Sequence, residues 1–418
     1  MTKNNQIKFI KHFALFLSVF VLFLFSYQNL HFKRIDSIKK VQEEDYINHE
    51  KVSPKKLFNE CWLRVKNHYY ISDLNNQNWH KWKKRYYNKI KTPEDAQLAI
   101  NTMLASLNDN YSKFLAEEEF SQQNNSINSK LYGIGINIAS LAGKTYIINV
   151  LENSPAYNND IKNGDIILKV NDVDVQGQTI YQVAQLIKSD STNYVNLEVL
   201  RGAEKLAKSV KKEEIKIKTV DYKKVSDNVG YIRISSFIGV ETPKEFIIAL
   251  NRLKDTKGLI LDLRGNSGGL FQNAIIVANL FMEKGVIVNV IARQGKKNTY
   301  EANDKGCIYK NPLVVLIDSD TASASEILSS ALHDNNRAIL VGTKTYGKGL
   351  VQKVFSLPNK SGINLTIARY LTPKNADINK QGIKPDYLVN FTHNDFINNI
   401  DPQLSWAKNY LEKVVSEL

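Results

Sequence analysis

Cysteine is nearly missing from this 418-residue chain. Cys61 and Cys307 stand far apart and outside any Cys-x-x-Cys spacing, which excludes zinc-finger and dithiol redox motifs. A disulfide between them would need an oxidising compartment and is not expected. Histidine is scarce as well, with seven in all. His12, His31, His49, His68 and His80 fall before residue 81, and His393 lies in a polar stretch near the end. His333 comes late on a helix that Ser323 would open, about 15 Å away at 1.5 Å per residue, so a Ser-His-Asp triad is not expected. There is no GxGxxG, and no Lys-Ser/Thr follows the glycines at 265–269, which excludes a dinucleotide or phosphate loop. Internal repeats and long low-complexity stretches are also absent. Neither a metal nor a cofactor is expected.

What is present is positive charge, with 56 Lys and Arg against 42 Asp and Glu, a net +14. The lysines are scattered among Asn, Asp and Glu, without a basic stripe carrying interleaved aromatics. They read as a solvated surface with no nucleic-acid partner, compatible with attraction to anionic lipid headgroups. Apolar residues make up 43%, enough to bury a sizeable core over two or three domains. The N-terminus carries Lys3, Lys8 and Lys11 ahead of an apolar run, Phe13–Phe25. No small-x-small cleavage site follows, and counting on to Leu30 and Phe32 gives roughly the 20 residues that span a bilayer. An uncleaved signal anchor, a transmembrane helix over 1–32, is the expectation. The bulk of the chain would then lie on the extracytoplasmic, periplasmic or lumenal, side.

Beyond a polar stalk (33–52), the chain reads as four regions. Residues 53–128 are helical, with Leu57, Cys61, Leu63, Val65 and Tyr69 at amphipathic spacing and Thr92-Pro93-Glu94-Asp95 as a helix start. Residues 129–214 form a β-rich module, with strands expected at Tyr132–Ile138, Tyr146–Val150, Ile166–Val170 and Val195–Leu200 and a helix near Ile180–Lys188. Residues 215–395 alternate strands, among them Gly258–Leu263 and Leu313–Ile317, with helices at Pro243–Lys254, Phe271–Glu283 and Ala322–His333, an α/β pattern. Residues 396–418 read as a last amphipathic helix.

Three stretches carry chemistry. In Val314–Gln352, a buried strand and polar turn lead to a helix opening at Ala322 or Ser323, and Lys348 follows between Gly347 and Gly349. A serine at a helix N-terminus has N–H groups aimed at charge developing beside it. A lysine serves as its base only when neutral, which requires lowering a reference pKa of about 10.4. Gly-Lys-Gly is equally the sequence of a plain turn. Asp262–Leu270 runs an apolar strand into a glycine-rich turn, which presents N–H groups to an oxyanion or is simply tight. Tyr132-Gly133-Ile134-Gly135-Ile136 is a glycine-bracketed loop. Such a loop can bind a carboxylate, with the following strand edge accepting an extended peptide; it is also the sequence of a bulge.

The ordered set of these motifs resembles the C-terminal processing peptidases, or tail-specific proteases. The set runs from Leu107–Leu115 through Tyr132–Ile136, Ser154-Pro155-Ala156 with Gly164-Asp165, Asp262–Leu270, Ala322–Ile327 and Gly347–Gln352 to Asp377–Asp386. The helical region, with Asn78-Trp79 and Tyr86-Tyr87, is similar to that of cyanobacterial and chloroplast-type members. Thr321 stands where serine or glycine is commoner and Asn110 where proline is, neither at a catalytic position. The resemblance implies an α+β and α/β multidomain fold: a helical region, an inserted PDZ domain and a protease core of the crotonase/ClpP-like type. It also implies Ser323 as nucleophile, Lys348 as general base and Gln352 orienting the lysine amine. Ala324 N–H with Gly268 or Gly269 N–H would form the oxyanion hole, and Gly133, Ile134, Gly135 and Ile136 would hold the substrate tail. The expected function is a serine endopeptidase acting on proteins with apolar C-terminal tails, with homo-oligomerisation left open. The competing class is a PDZ-bearing membrane adaptor with a degenerate protease fold; an acyl-CoA-handling enzyme is disfavoured by the inserted module.

Overall fold

The computed structural model describes residues 52–127, 130–189, 193–216 and 218–417. The expected anchor lies outside these residues, as does all but the last residue of the expected stalk. Among the described residues no helix is long and apolar enough to cross a membrane. The chain divides into two compact units, one of residues 1–120 with 352–366 and one of residues 121–351 with 367–418.

The first unit holds helices α1 (Pro54–His68), α2 (His80–Tyr86) and α3 (Pro93–Ala105) and strand β1 (Lys113–Leu115). Proline at the first turn and a capping side chain start α1 and α3; Thr92 and Asp95 close a reciprocal capping box on α3. Leu57, Phe58, Cys61, Trp62 and Val65 form the buried stripe of α1; Leu63, expected on it, is exposed, because two residues from Cys61 it turns to the opposite face of the helix. Trp62 and Trp79 lock α1 to the start of α2, each indole N–H donating to the other's carbonyl, at 2.9 and 3.1 Å. Asp109 organises the turn before β1 by accepting from Tyr111 N–H and Ser112 Oγ. Ser112 Oγ in turn accepts the N–H of Thr366 at 3.0 Å. Residues 352–366 thus join this unit through a hydrogen bond between positions 254 apart in sequence.

Helix α4 (Glu117–Ile127) leads out of the first unit. Strands β2 (Lys130–Gly133) and β9 (Glu213–Lys216) pair antiparallel, bringing the two ends of the β-rich module together. Between them lie β3 (Ile136–Leu141), β4 (Lys144–Val150), the short helix α5 (Pro155–Asn158), β5 (Ile166–Val170), β6 (Val173–Asp174), α6 (Ile180–Lys188), β7 (Tyr194–Arg201) and β8 (Glu204–Lys211). The main sheet has the order β3-β4-β5-β7-β8, packed around Ile147, Ile167, Val183, Val195 and Val199. One strand was expected over Tyr132–Ile138, but the chain breaks it at Ile134-Gly135. Gly135 has φ +83°, and a Cβ there would lie 2.3 Å from that of Ser154, so only glycine fits.

The second sheet has the order β10-β11-β12-β15-β16-β19. Its strands are β10 (Val220–Lys224), β11 (Val229–Ile234), β12 (Gly258–Asp262), β15 (Leu313–Ile317), β16 (Ile339–Gly342) and β19 (Tyr387–Leu388). All its pairings are parallel except β10 with β11. The intervening elements are α7 (Thr242–Arg252), α8 (Phe271–Asn279), β13 (Val286–Ala292), β14 (Lys297–Glu301), α9 (Ala324–Asp334), β17 (Leu350–Leu357) and β18 (Ser361–Leu371). Alternate residues serve opposite faces, the period-2 rule of a strand. Leu259, Leu261, Leu313, Val315 and Ile317 pack with α7, α8 and α9; Val229, Ile260, Val314 and Leu316 pack with Ala407 and Leu411. With both faces covered, these strands read as unbroken apolar runs. Helix α8 stops at Asn279, short of the expected Glu283. The expected last helix is split into α10 (His393–Ile397) and α11 (Pro402–Ser416), where Asp401 caps a helix that Pro402 starts.

Asp401 also secures α11 to the sheet. The Arg264 guanidinium, just past β12, is sandwiched between buried Asp262 and Asp401 and donates to Gln403. Tyr231 donates to Asp262 at 2.7 Å. Burial alone would raise the Asp401 pKa, but bonds from Arg264 and Leu404 N–H hold it below the ordinary value. Its contribution to stability is therefore present above the ordinary carboxylate range and lost as pH falls through the lowered value. Arg264→Ala leaves the buried Asp262 carboxylate without its cation. We expect a loss of about 3–5 kcal/mol in unfolding free energy, read by chemical denaturation. A loss under about 1 kcal/mol would show that the pair is not structurally important.

Candidate active site

Parallel pairing of β12 with β15 sets Asp262 beside Leu316. The turns leaving their C-terminal ends are therefore neighbours, the usual place for a site in a parallel sheet. Three hydrogen-bonding groups bolt the turns together. Asp318 accepts Gly265 N–H at 3.0 Å and Thr321 N–H at 2.9 Å, while Thr321 Oγ1 reaches back to Leu263 O. Asn266, fully buried, donates through Nδ2 to Ile234 O. Its carbonyl accepts Ala322 N–H and the Ser325 hydroxyl, at 3.0 and 2.9 Å.

Ser325 is thus buried and engaged, whereas Ser323 is only half-buried. The helix begins at Ala324, past the expected start at Ala322 or Ser323, because Ser323 takes φ 56° and ψ −115°. Non-glycine residues rarely occupy that region, and it costs about 1–3 kcal/mol wherever the surroundings impose it.

Glu326 supplies the restraint. Its carboxylate is fully buried and accepts four hydrogen bonds. Ser323 N–H and Lys348 N–H reach Oε2 at 2.8 and 2.9 Å. Gly347 N–H and Thr345 Oγ1 reach Oε1 at 2.7 and 2.6 Å. The Tyr370 hydroxyl lies 3.1 Å from Ser323 O and also within reach of Lys348 O. Glu326 Oε2 therefore ties the serine backbone to the lysine backbone on the N–H side, while the single Tyr370 hydroxyl proton is shared between their two carbonyls. The lysine loop is backed by residues 378–383: Gly347 O accepts Lys380 N–H, and a Cβ on Gly347 would lie 2.7 Å from Gly382 N. Gly-Lys-Gly is thus a packed turn requiring glycine.

The two candidate glycines of the oxyanion hole differ. Gly268 N–H donates to Asn266 Oδ1 at 2.9 Å, and a Cβ on Gly268 would lie 2.9 Å from both Ser323 Cβ and Ala324 N. Gly268 O accepts Phe237 N–H. In a trans peptide the following N–H points opposite to that carbonyl, so Gly269 N–H is turned away from Phe237. Among the described residues neither Gly269 N–H nor Ala324 N–H has a protein acceptor.

Of the remaining expected residues, Gln352 falls in the 352–366 segment of the first unit, where its amide donates to Thr366 Oγ1 at 3.4 Å. His333, at the far end of α9, sits between Asp334 and Asp386 at 3.2 and 3.1 Å. In the β-rich module, Ile134 O and Gly135 O accept the N–H groups of Ala156 and Leu151. Among the described residues the N–H groups of Ile134 and Gly135 have no acceptor. Strand β3, which follows, has β4 as its one ladder partner among the described residues and lies against α6. Reading the sequence missed the roles of Glu326, Asn266 and Tyr370. Only Glu326 carried a signal, the Ser-x-x-Glu spacing of a capping box.

Residues 228–389 match the model of peptidase family S41, residues 133–211 that of the PDZ domain, and residues 52–105 that of the tricorn protease C1 domain. The chain is 36% identical over 370 residues to carboxyl-terminal-processing peptidase 1, chloroplastic, of Arabidopsis thaliana, covering 83% of this chain and 74% of that one. It is 36% identical over 346 residues to the carboxyl-terminal-processing protease of Synechocystis, covering 80% and 81%. Among solved structures, a photosystem II D1 C-terminal processing protease superposes with a TM-score of 0.57 at 30% identity, covering 81% of this chain and 94% of that one. The chain belongs to the carboxyl-terminal-processing peptidases, serine-type peptidases of family S41 that carry a PDZ domain.

Proposed function

We propose that this chain is a membrane-anchored, extracytoplasmic endopeptidase that cleaves proteins near their C-termini through a Ser323/Lys348 dyad and an acyl-enzyme. The observation that carries the dyad is the shared Glu326 carboxylate, which fixes the backbones of both residues to one oxygen. Neutral Lys348 takes the Ser323 proton as Oγ attacks the scissile carbonyl. Ala324 N–H and Gly269 N–H receive the oxyanion; Gly269 is favoured over Gly268 because the Gly268 N–H is already bonded to Asn266. Protonated Lys348 then gives its proton to the leaving amine. Neutral again, it activates the water that hydrolyses the ester. We assign to Gln352 the orienting of the lysine amine. The PDZ domain takes the substrate tail, its carboxylate on Ile134 and Gly135 N–H and its last residues as a strand beside β3, against the partly buried Ile136 and Ile138. The run Phe13–Phe25 is the proposed anchor.

Ser323→Ala and Lys348→Ala should each lower cleavage of an unfolded, apolar-tailed protein by about 10³-fold or more. A serine-reactive probe should label the parent chain at Ser323. Wild-type cleavage by either variant would remove the dyad, and an unlabelled, inactive parent would favour the adaptor reading. Glu326→Gln turns an amide NH₂ toward backbone donors. It should cut kcat about 10²-fold, by misplacing Ser323 and Lys348, with little change in KM; unchanged kcat would show that the shared carboxylate is dispensable. Amidating the substrate's C-terminus should raise KM about tenfold, the worth of a charge-assisted hydrogen bond. Equal KM for acid and amide would remove Ile134 and Gly135 as carboxylate donors.

A further inference from the structure

Residues 52–90 hold nine lysines and arginines against two carboxylates, Glu60 and Asp73. Four of them, Lys81, Lys83, Lys84 and Arg85, are interleaved in sequence with Trp82 and followed by Tyr86 and Tyr87, a local exception to the scattered pattern expected for the whole chain. The fold gathers several of the nine over aromatic rings. Lys66 and Lys83, from α1 and α2, both lie over the Trp62 ring, at 5.2 and 5.3 Å from its centroid. Arg85 lies over Trp82 and Tyr86, which stack on each other with planes 5° apart. Tyr86 contacts Phe58 at 6.1 Å, and Lys55 covers Tyr87 at 4.9 Å. Lys56, Lys81, Lys84, Arg85, Tyr87 and Lys89 are exposed, and Trp82 and Tyr86 are half-buried. Among the described residues none of the nine cations is ion-paired with a carboxylate. Two ammonium groups converging on one indole raise the local positive potential, and an anion seated there would relieve it.

We infer that this face of α1 and α2 docks on an anionic bilayer surface, with lipid phosphates taken by Lys66, Lys83, Lys84 and Arg85 and the Trp82 and Tyr86 rings at headgroup depth. Indole and phenol rings mixed with long cations are the composition of an interfacial surface, the rings apolar at one side and polar at the other. Each lysine or arginine held near an anionic leaflet adds to the attraction. The choice of a bilayer over another polyanion rests on the anchor proposed above. At full extension the 26 residues between Phe25 and Val52 reach at most about 90 Å, so an anchored chain keeps the start of α1 within that distance of the membrane, where this face can reach the headgroups. Docking would then fix the orientation of the first unit rather than leave it on a tether.

The test uses the full chain reconstituted into nanodiscs of phosphatidylcholine, with or without phosphatidylglycerol, each containing a headgroup spin-labelled lipid. Tryptophan emission should be quenched when phosphatidylglycerol is present, and added salt should reverse the quenching. Trp82→Phe should remove most of the quenching. Lys81→Gln/Lys84→Gln/Arg85→Gln/Lys89→Gln, which alters only exposed side chains, should reduce it with unchanged circular dichroism. Retention of the chain in neutral discs reports the anchor separately. A chain that leaves neutral discs but is quenched with phosphatidylglycerol loses the anchor reading and keeps this one. Equal quenching in neutral and anionic discs would overturn the inference, as would quenching unaffected by either variant. So would binding to a single-stranded oligonucleotide in preference to phosphatidylglycerol discs.

Discussion

A single buried carboxylate decides where the candidate nucleophile and base stand. Glu326 takes four donors from three stretches of chain: the helix start at Ser323, the threonine at 345, and the turn of Gly347 and Lys348. A buried acceptor with so many donors is costly to misplace, because any shift leaves N–H groups unpaired in the interior. That penalty offsets the strained φ of Ser323 and keeps the Oγ at a sharp corner instead of relaxing into the helix. The Tyr370 hydroxyl acts on the opposite side of the same two residues, against their carbonyls. Removing the carboxylate would release the serine and the lysine together.

The rest of the second unit makes that point rigid. The parallel sheet is covered on both faces, by α7, α8 and α9 on one and α11 on the other, so β12 and β15 cannot slide without opening the core. Their C-terminal turns inherit this rigidity through Asp318 and Asn266. Arg264 extends it to the end of the chain by binding the strand carboxylate Asp262 and the helix-capping carboxylate Asp401 at once. The PDZ domain enters and leaves through the paired strands β2 and β9, which makes it an insertion with adjacent ends. Such a module can carry a substrate tail without disturbing the core sheet. The basic and aromatic face of α1 and α2 belongs to the other unit and answers to a different need, holding a surface rather than a reacting bond.

Much of this was written locally. Unbroken apolar runs such as Leu259–Leu261 and Val314–Ile317 identify central parallel strands, because both faces of those strands are buried. Thr92-Pro93-Glu94-Asp95 specifies a capped helix through contacts within one turn. The order of the motifs carries the family, and with it Ser323 and Lys348 as the residues to examine. Near neighbours and periodicity therefore suffice for the elements, the succession of helical, β-rich and α/β regions, and the candidate pair. Tertiary structure alone decided what depends on partners far apart in the chain. It determined that Glu326 serves Ser323 and Lys348 together rather than capping a helix only. It engaged Gly268 N–H with Asn266 and left Gly269 N–H pointing the other way. It also gathered Lys66 and Lys83 onto one indole. Hydrogen-bond direction and charge convergence are set by the path of the folded backbone, which no local spacing encodes.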